Sequence, residues 1–163
     1  MKKFTSVSGT VTMIQDHFVS SDEELNGCFK LMSILGGDGS IVNFVISPTT
    51  YFLDHVMVSV GDRITGFYDA NVPVILIYPP QYQAHIIVKD NPYQNVKVDF
   101  FNSQLVSSDG QLQLNISSFT PILLQNDQPF TLNPASRNLL VVYGPTTFSI
   151  PAQTTPYKII VIC

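Results

Sequence analysis

The chain has 163 residues, 45% of them apolar and only 12% charged, with a net charge of −4. That length supports a real hydrophobic core, in one domain or two small ones. The eight Lys and Arg residues are scattered apart from Lys2-Lys3. This argues against the basic stripe that binds DNA or RNA.

Asn, Gln, Ser and Thr must cover much of the surface, because an average globular protein carries roughly twice this share of charge. Such a surface repels other molecules weakly and favours assembly. Cys28 and Cys163 read as free thiols of a reducing compartment. Lys2-Lys3 is followed by a polar stretch, not by the apolar core of a signal peptide. No stretch approaches the ~20 apolar residues of a membrane helix. The expectation is a cytoplasmic protein with no membrane association.

Strand signals dominate along the chain. Val7, Gly9, Val11 and Met13 alternate with polar residues, the period of a half-buried strand. Residues 16–26 are polar and acidic and read as a loop or short helix. Residues 29–35 and 41–46 read as a hairpin, turned by Gly36-Gly37-Asp38-Gly39. Val56, Val58 and Val60 alternate before the Gly61-Asp62 turn. Strands follow at residues 64–68, 74–78 and 84–88. Asp90-Asn91-Pro92 is a turn and the candidate junction. Val96, Val98 and Phe100 alternate next. Asp109-Gly110 turns a hairpin between residues 104–106 and 111–114. Strands are expected at residues 130–132, 139–143, 147–150 and 158–162.

The order of signals repeats. Asp38-Gly39, Arg63, Tyr68 and Pro79-Pro80-Gln81 find counterparts in Asp109-Gly110, Arg137, Tyr143 and Pro151-Ala152-Gln153, with matched residues 71 to 75 positions apart. Repeats of this kind indicate duplicated modules. The reading is all-β, with two related small β-barrel or OB-like modules packed together. The first spans residues 1–90. The second, residues 96–163, is shorter and in sequence lacks a counterpart of residues 7–13. An irregular β-sandwich is the alternative. An open apolar edge invites aggregation, so the nearly all-apolar residues 158–162 should be central in the second sheet or paired across an oligomer interface; the expectation is the interface, or packing between modules.

Two segments carry a resemblance: Gly66-Phe67-Tyr68-Asp69-Ala70-Asn71-Val72-Pro73 and Ile77-Tyr78-Pro79-Pro80-Gln81-Tyr82. They resemble a motif in small uncharacterised bacterial OB-like domains. The resemblance covers about a seventh of the chain. It implies an OB-like fold and a bacterial setting, and no activity.

Catalytic and metal signatures are weak. His17, His55 and His85 lack the close spacing of metal ligands, so neither a metal nor another cofactor is expected. Asp38, Asp62, Asp69, Asp90 and Asp109 fall at turns, where Asp caps its own backbone. Gly36-Gly37-Asp38-Gly39 lacks the lysine and helix of a phosphate loop. The best interaction candidate is Tyr78, Pro79, Pro80, Gln81 and Tyr82. Prolines preset extended backbone there, and tyrosines offer rigid contact area. The expected function is a non-enzymatic binding or assembly module with a protein partner or a second copy. The alternative is an OB-type ligand-binding protein for single-stranded nucleic acid or oligosaccharide.

Overall fold

The computed structural model describes residues 2–163 and is all-β, with two 3₁₀ turns at Glu23–Leu25 and Leu53–His55. Among the described residues, no helix is long and apolar enough to cross a membrane. The chain divides into two compact units, with the division between Asp90 and Asn91.

The first unit contains β1 (Phe4–Asp16), β2 (Lys30–Leu35), β3 (Ile41–Ile46), β4 (Tyr51–Phe52), β5 (Arg63–Asp69), β6 (Gln81–Gln83) and β7 (Ile86–Lys89). They form one sheet in the order β4-β7-β5-β1-β2-β3-β6. β1 is long enough to serve two neighbours. Its first half pairs with β5, from Phe4↔Asp69 to Thr10↔Arg63. Its second half pairs with β2, from Thr10↔Leu35 to Asp16↔Lys30, after an irregularity between Val11 and Met13. Such a bulge bends a strand and increases its twist, which turns β1 from one partner to the other. The expected β2–β3 hairpin forms, and Gly39 sits in its turn at φ +82°. That conformation costs glycine no steric penalty.

Residues 81–89 tie the two ends of this sheet together. β6 pairs parallel with β3, and Ala84 N–H still donates to Val45 O at 3.0 Å. One residue later, His85 N–H donates to Phe67 O at 2.8 Å, and β7 continues antiparallel to β5. The arrangement is consistent with the five-strand, OB-like expectation. The enclosed core contains Val11, Ile34, Phe44, Ile64 and Ile87, all nearly inaccessible to solvent.

The second unit contains β8 (Asn95–Phe101), β9 (Leu112–Leu114), β10 (Ile122–Leu124), β11 (Arg137–Tyr143), β12 (Ala152–Thr154) and β13 (Lys158–Val161). Its pairings follow those of the first. β8 pairs with β11 as β1 does with β5, and β13 pairs with β11 as β7 does with β5. β9 and β12 are parallel, as are β3 and β6, and β10 and β13 are parallel, as are β4 and β7. Tyr157 N–H donates to Val142 O at 2.8 Å, where the first unit has the His85–Phe67 bond. In this register Leu114 stands where Phe44 does, and Val141 where Gly66 does. A Cβ on Gly66 would lie 2.5 Å from the Phe44 ring. The large residue thus faces the smallest in one unit, and in the other two residues of middle size, Leu114 and Val141, share one core cluster.

Several expectations are corrected. β8 pairs with β11 as the first half of β1 pairs with β5, where sequence suggested no counterpart of residues 7–13; β8 ends its sheet and, among the described residues, has no partner strand like β2. β13 lies between β10 and β11, so its apolar run is central and not held for an interface. Residues 56–60, 74–78, 130–132 and 147–150 form no strand. Propensity alone does not make a strand, which also needs a neighbouring edge with free backbone groups. Pro73, Pro79 and Pro80 remove three donors around residues 74–78, and Thr147 bonds to Gln153 instead of joining a hairpin.

Gly66→Ala is expected to destabilise the chain by about 1–3 kcal/mol, the usual cost of overpacking a filled core. Urea unfolding checks this. A change under about 0.5 kcal/mol would mean that Phe44 moves aside freely.

Candidate functional site

The connection from β5 to β6, residues 70–80, begins at a cap. Asp69 accepts hydrogen bonds from Lys3 N–H at 3.1 Å and Asn71 N–H at 3.0 Å. Asn71 N–H lowers the carboxyl pKa most, against a smaller opposing effect of burial. Asp38, Asp62 and Asp109 behave alike, whereas Asp90 accepts from the Thr65 hydroxyl at 3.2 Å and pairs with Arg63 instead of capping its own turn. Asp38 binds Ser40, and Asp62 binds Ser59 N–H at 2.8 Å. Burial raises the Asp109 pKa, but Lys97, Ser107 and Gln111 outweigh it and hold the carboxyl at about 2. The Asp38, Asp62, Asp69 and Asp109 carboxylates are occupied in holding turns, as their positions implied.

Beyond the cap, the chain runs through Val72, Pro73, Val74, Ile75, Leu76, Ile77 and Tyr78, and every one is exposed. Leu76 is 97% exposed, Tyr78 83% and Ile75 70%. This is a contiguous apolar surface, in contrast to the isolated apolar residues normal on any protein. The sequence reading placed this run in a strand and so missed it. Its signal was a row of aliphatic residues fenced by prolines.

The five expected interaction residues part company. Tyr78 stands in solvent at the base of the exposed run, and Pro79 and Pro80 are half-buried behind it. Gln81 lies in β6, opposite Asn43. Tyr82 points the other way and stacks on Tyr68, with ring centroids 3.9 Å apart and planes 8° from parallel. It also packs against Phe44. Burial, and then the Tyr82 hydroxyl, raise the Tyr68 pKa. Alternation along a strand explains the split, since successive residues face opposite sides.

A cleft of about 330 Å³ opens along β6. Its lining includes Val72, Val74 and Ile75 from the exposed run, Gln81 and Gln83 from β6, and the half-buried His85. The volume lies within the ~300–1,000 Å³ of small-ligand pockets. His85 packs edge-on against Phe4, with centroids 5.2 Å apart. Burial lowers its pKa, Lys2 lowers it further, and Asp69 opposes them. In the second unit, a cleft of about 530 Å³ has Tyr143, Gly144, Pro145, Phe148 and Ala152 in its lining. It lies beside the β11–β12 connection but is lined from β8 and β9, by Lys97 and Leu112, and not by Gln153 or Tyr157. Phe148 there is fully exposed.

Among the described residues, no group of three His, Cys, Asp or Glu side chains converges to hold a metal ion. Compared with known proteins, the chain matches no family model, no characterised protein and no solved structure.

Tyr82→Ala is expected to cost about 2–3 kcal/mol of stability, because it removes a stacked ring from the core. Tyr78→Ala should stay within about 0.5 kcal/mol. Thermal unfolding of the pair checks the split, and equal losses would contradict it.

His85 gives a pH signature. Its folded pKa lies below its unfolded value, so the unfolded chain binds the proton first as pH falls. Stability contributed by the neutral imidazole is present above about pH 6.5 and declines as pH drops through the folded pKa. His85→Gln should flatten that part of the curve. An unchanged slope would show that His85 does not titrate differently on folding.

Proposed function

We propose that this chain is a non-enzymatic binding and assembly module, and that residues 72–78 form its principal contact surface for a protein partner. The exposed apolar run carries this reading. Covering a large aliphatic side chain returns about 1.5–3 kcal/mol relative to leaving it in water. Ile75 and Leu76 stand ready to contribute on that scale. A surface with few charges adds little repulsion as another protein approaches. Of the five residues Tyr78, Pro79, Pro80, Gln81 and Tyr82, Tyr78 would touch the partner, while Tyr82 would support the site from within.

The same proposal treats the two units as copies of one OB-like module. The recurring strand pairs support that view. The resemblance to bacterial OB-like domains supports it too, and brings a bacterial setting with it. The exposed thiols Cys28 and Cys163 suit a reducing, cytoplasmic compartment. A second reading, an OB-type ligand-binding protein, has the β6 cleft in its favour. The net charge of −4 weighs against single-stranded nucleic acid as that ligand and leaves oligosaccharide.

Light scattering across a concentration range tests the assembly reading. The mass of the wild-type chain should rise with concentration, and Leu76→Lys should keep it monomeric without lowering its unfolding temperature. A wild type that stays monomeric throughout, with Leu76→Lys equally unable to change capture of apolar dye, removes the proposed surface.

A further inference from the structure

β6 is the last strand of its sheet. Its hydrogen bonds to β3 come from alternate residues. Asn43 N–H donates to Pro80 O at 2.8 Å, and Ala84 N–H donates to Val45 O at 3.0 Å. In an extended strand, the backbone groups of intervening residues face the opposite side. The N–H and C=O groups of Gln81 and Gln83 therefore point away from β3. Among the described residues they have no partner. An edge of this kind is a template for another strand. Here it borders the cleft whose other wall is Val72, Val74 and Ile75.

The second unit shows what fits such an edge. β12 pairs with β9 as β6 does with β3, and Gln153 stands in the place of Gln81. Its outward groups are both taken. Thr147 N–H donates to Gln153 O at 2.9 Å, and Gln153 N–H donates to Thr147 Oγ1 at 2.9 Å. Thr147 belongs to the chain's own β11–β12 connection. In the first unit the β5–β6 connection is longer, and Val74, Ile75 and Leu76 make no hydrogen bond to Gln81 or Gln83.

We propose that the β6 cleft binds an extended peptide segment of a partner protein, which adds as a strand to Gln81 and Gln83. This rests on the assembly reading and supplies its mode of recognition. The two outward N–H and two outward C=O groups hold the backbone of the peptide. Side chains on one face of the peptide meet the apolar wall, as strand-addition sites read alternate residues. The side chains that meet the Val72, Val74 and Ile75 wall are uncharged, because that wall would strip water from a charge without pairing it. Thr146 and Thr147 illustrate the composition.

The test uses the full chain, labelled with ¹⁵N, and a capped synthetic peptide of residues 143–150, the stretch that covers the matching edge. Saturable shifts and slowed exchange are expected at the Gln81 and Gln83 amides, with the β3-facing Tyr82 amide much less affected. Gln83→Pro removes one outward donor and no bond to β3. It should weaken binding about tenfold, the scale of one lost hydrogen bond. Ile75→Asp, on the exposed wall, should weaken it similarly and keeps the test open if the proline variant does not fold. Protection of the same amides on raising protein concentration alone also supports strand addition, with a second copy as partner. Unmoved Gln81 and Gln83 amides at millimolar peptide overturn it. So does their protection in the dilute free chain, which would mean that residues 72–78 already cover the edge. Shifts confined to residues 75–78 overturn strand addition yet leave the apolar assembly surface standing.

Discussion

The first unit depends on one backbone transfer. At Ala84 the chain still bonds to β3, and at His85 it bonds to β5. A strand has two edges, and successive residues offer their hydrogen bonds to opposite ones. A single run can therefore serve both ends of a curved sheet without a break. Tyr157 makes the equivalent bond in the second unit. In the first unit this transfer brings core residues from both ends of the sheet together; in the second, Thr154 O still accepts from Asn115 before Tyr157 turns to Val142, because Pro156 has no N–H to offer.

That constraint also sets the site. Once residues 80, 82 and 84 face β3, residues 81 and 83 must face outward. Tyr82 must then send its ring inward, where it stacks on Tyr68 and covers Phe44. The exposed run of residues 72–77 is held between two firm anchors, the Asp69 cap and the β6 ladder. Neither anchor requires the aliphatic side chains between them to be buried. The core already packs Phe44 so closely on Gly66 that a single added methyl there would clash.

The two units solve the same edge problem differently. In the second, a short connection folds back and Thr147 satisfies Gln153 with a backbone donor and a hydroxyl acceptor. In the first, the connection carries prolines and aliphatic residues and has no serine or threonine to take the part of Thr147 beside Gln81. The difference in side-chain chemistry is small, and its consequence is that one edge is covered and the other open.

The sequence by itself determined the all-β class, the turns at Asp38-Gly39 and Asp109-Gly110, and the occupation of the turn aspartates. These follow from local physics: period-two alternation, the freedom of glycine at positive φ, and carboxylates binding nearby backbone N–H groups. It also marked Tyr78 to Tyr82 as unusual, through its prolines and aromatics. Only the tertiary structure decided which of those residues face water, because that depends on the parity of the β3–β6 register. Pairing likewise decided that residues 74–77 stay outside any strand while the equally apolar residues 159–161 become central. Both runs have the same intrinsic preference for strand. Residues 159–161 find β10 and β11 on their two sides, and residues 74–77 find no edge.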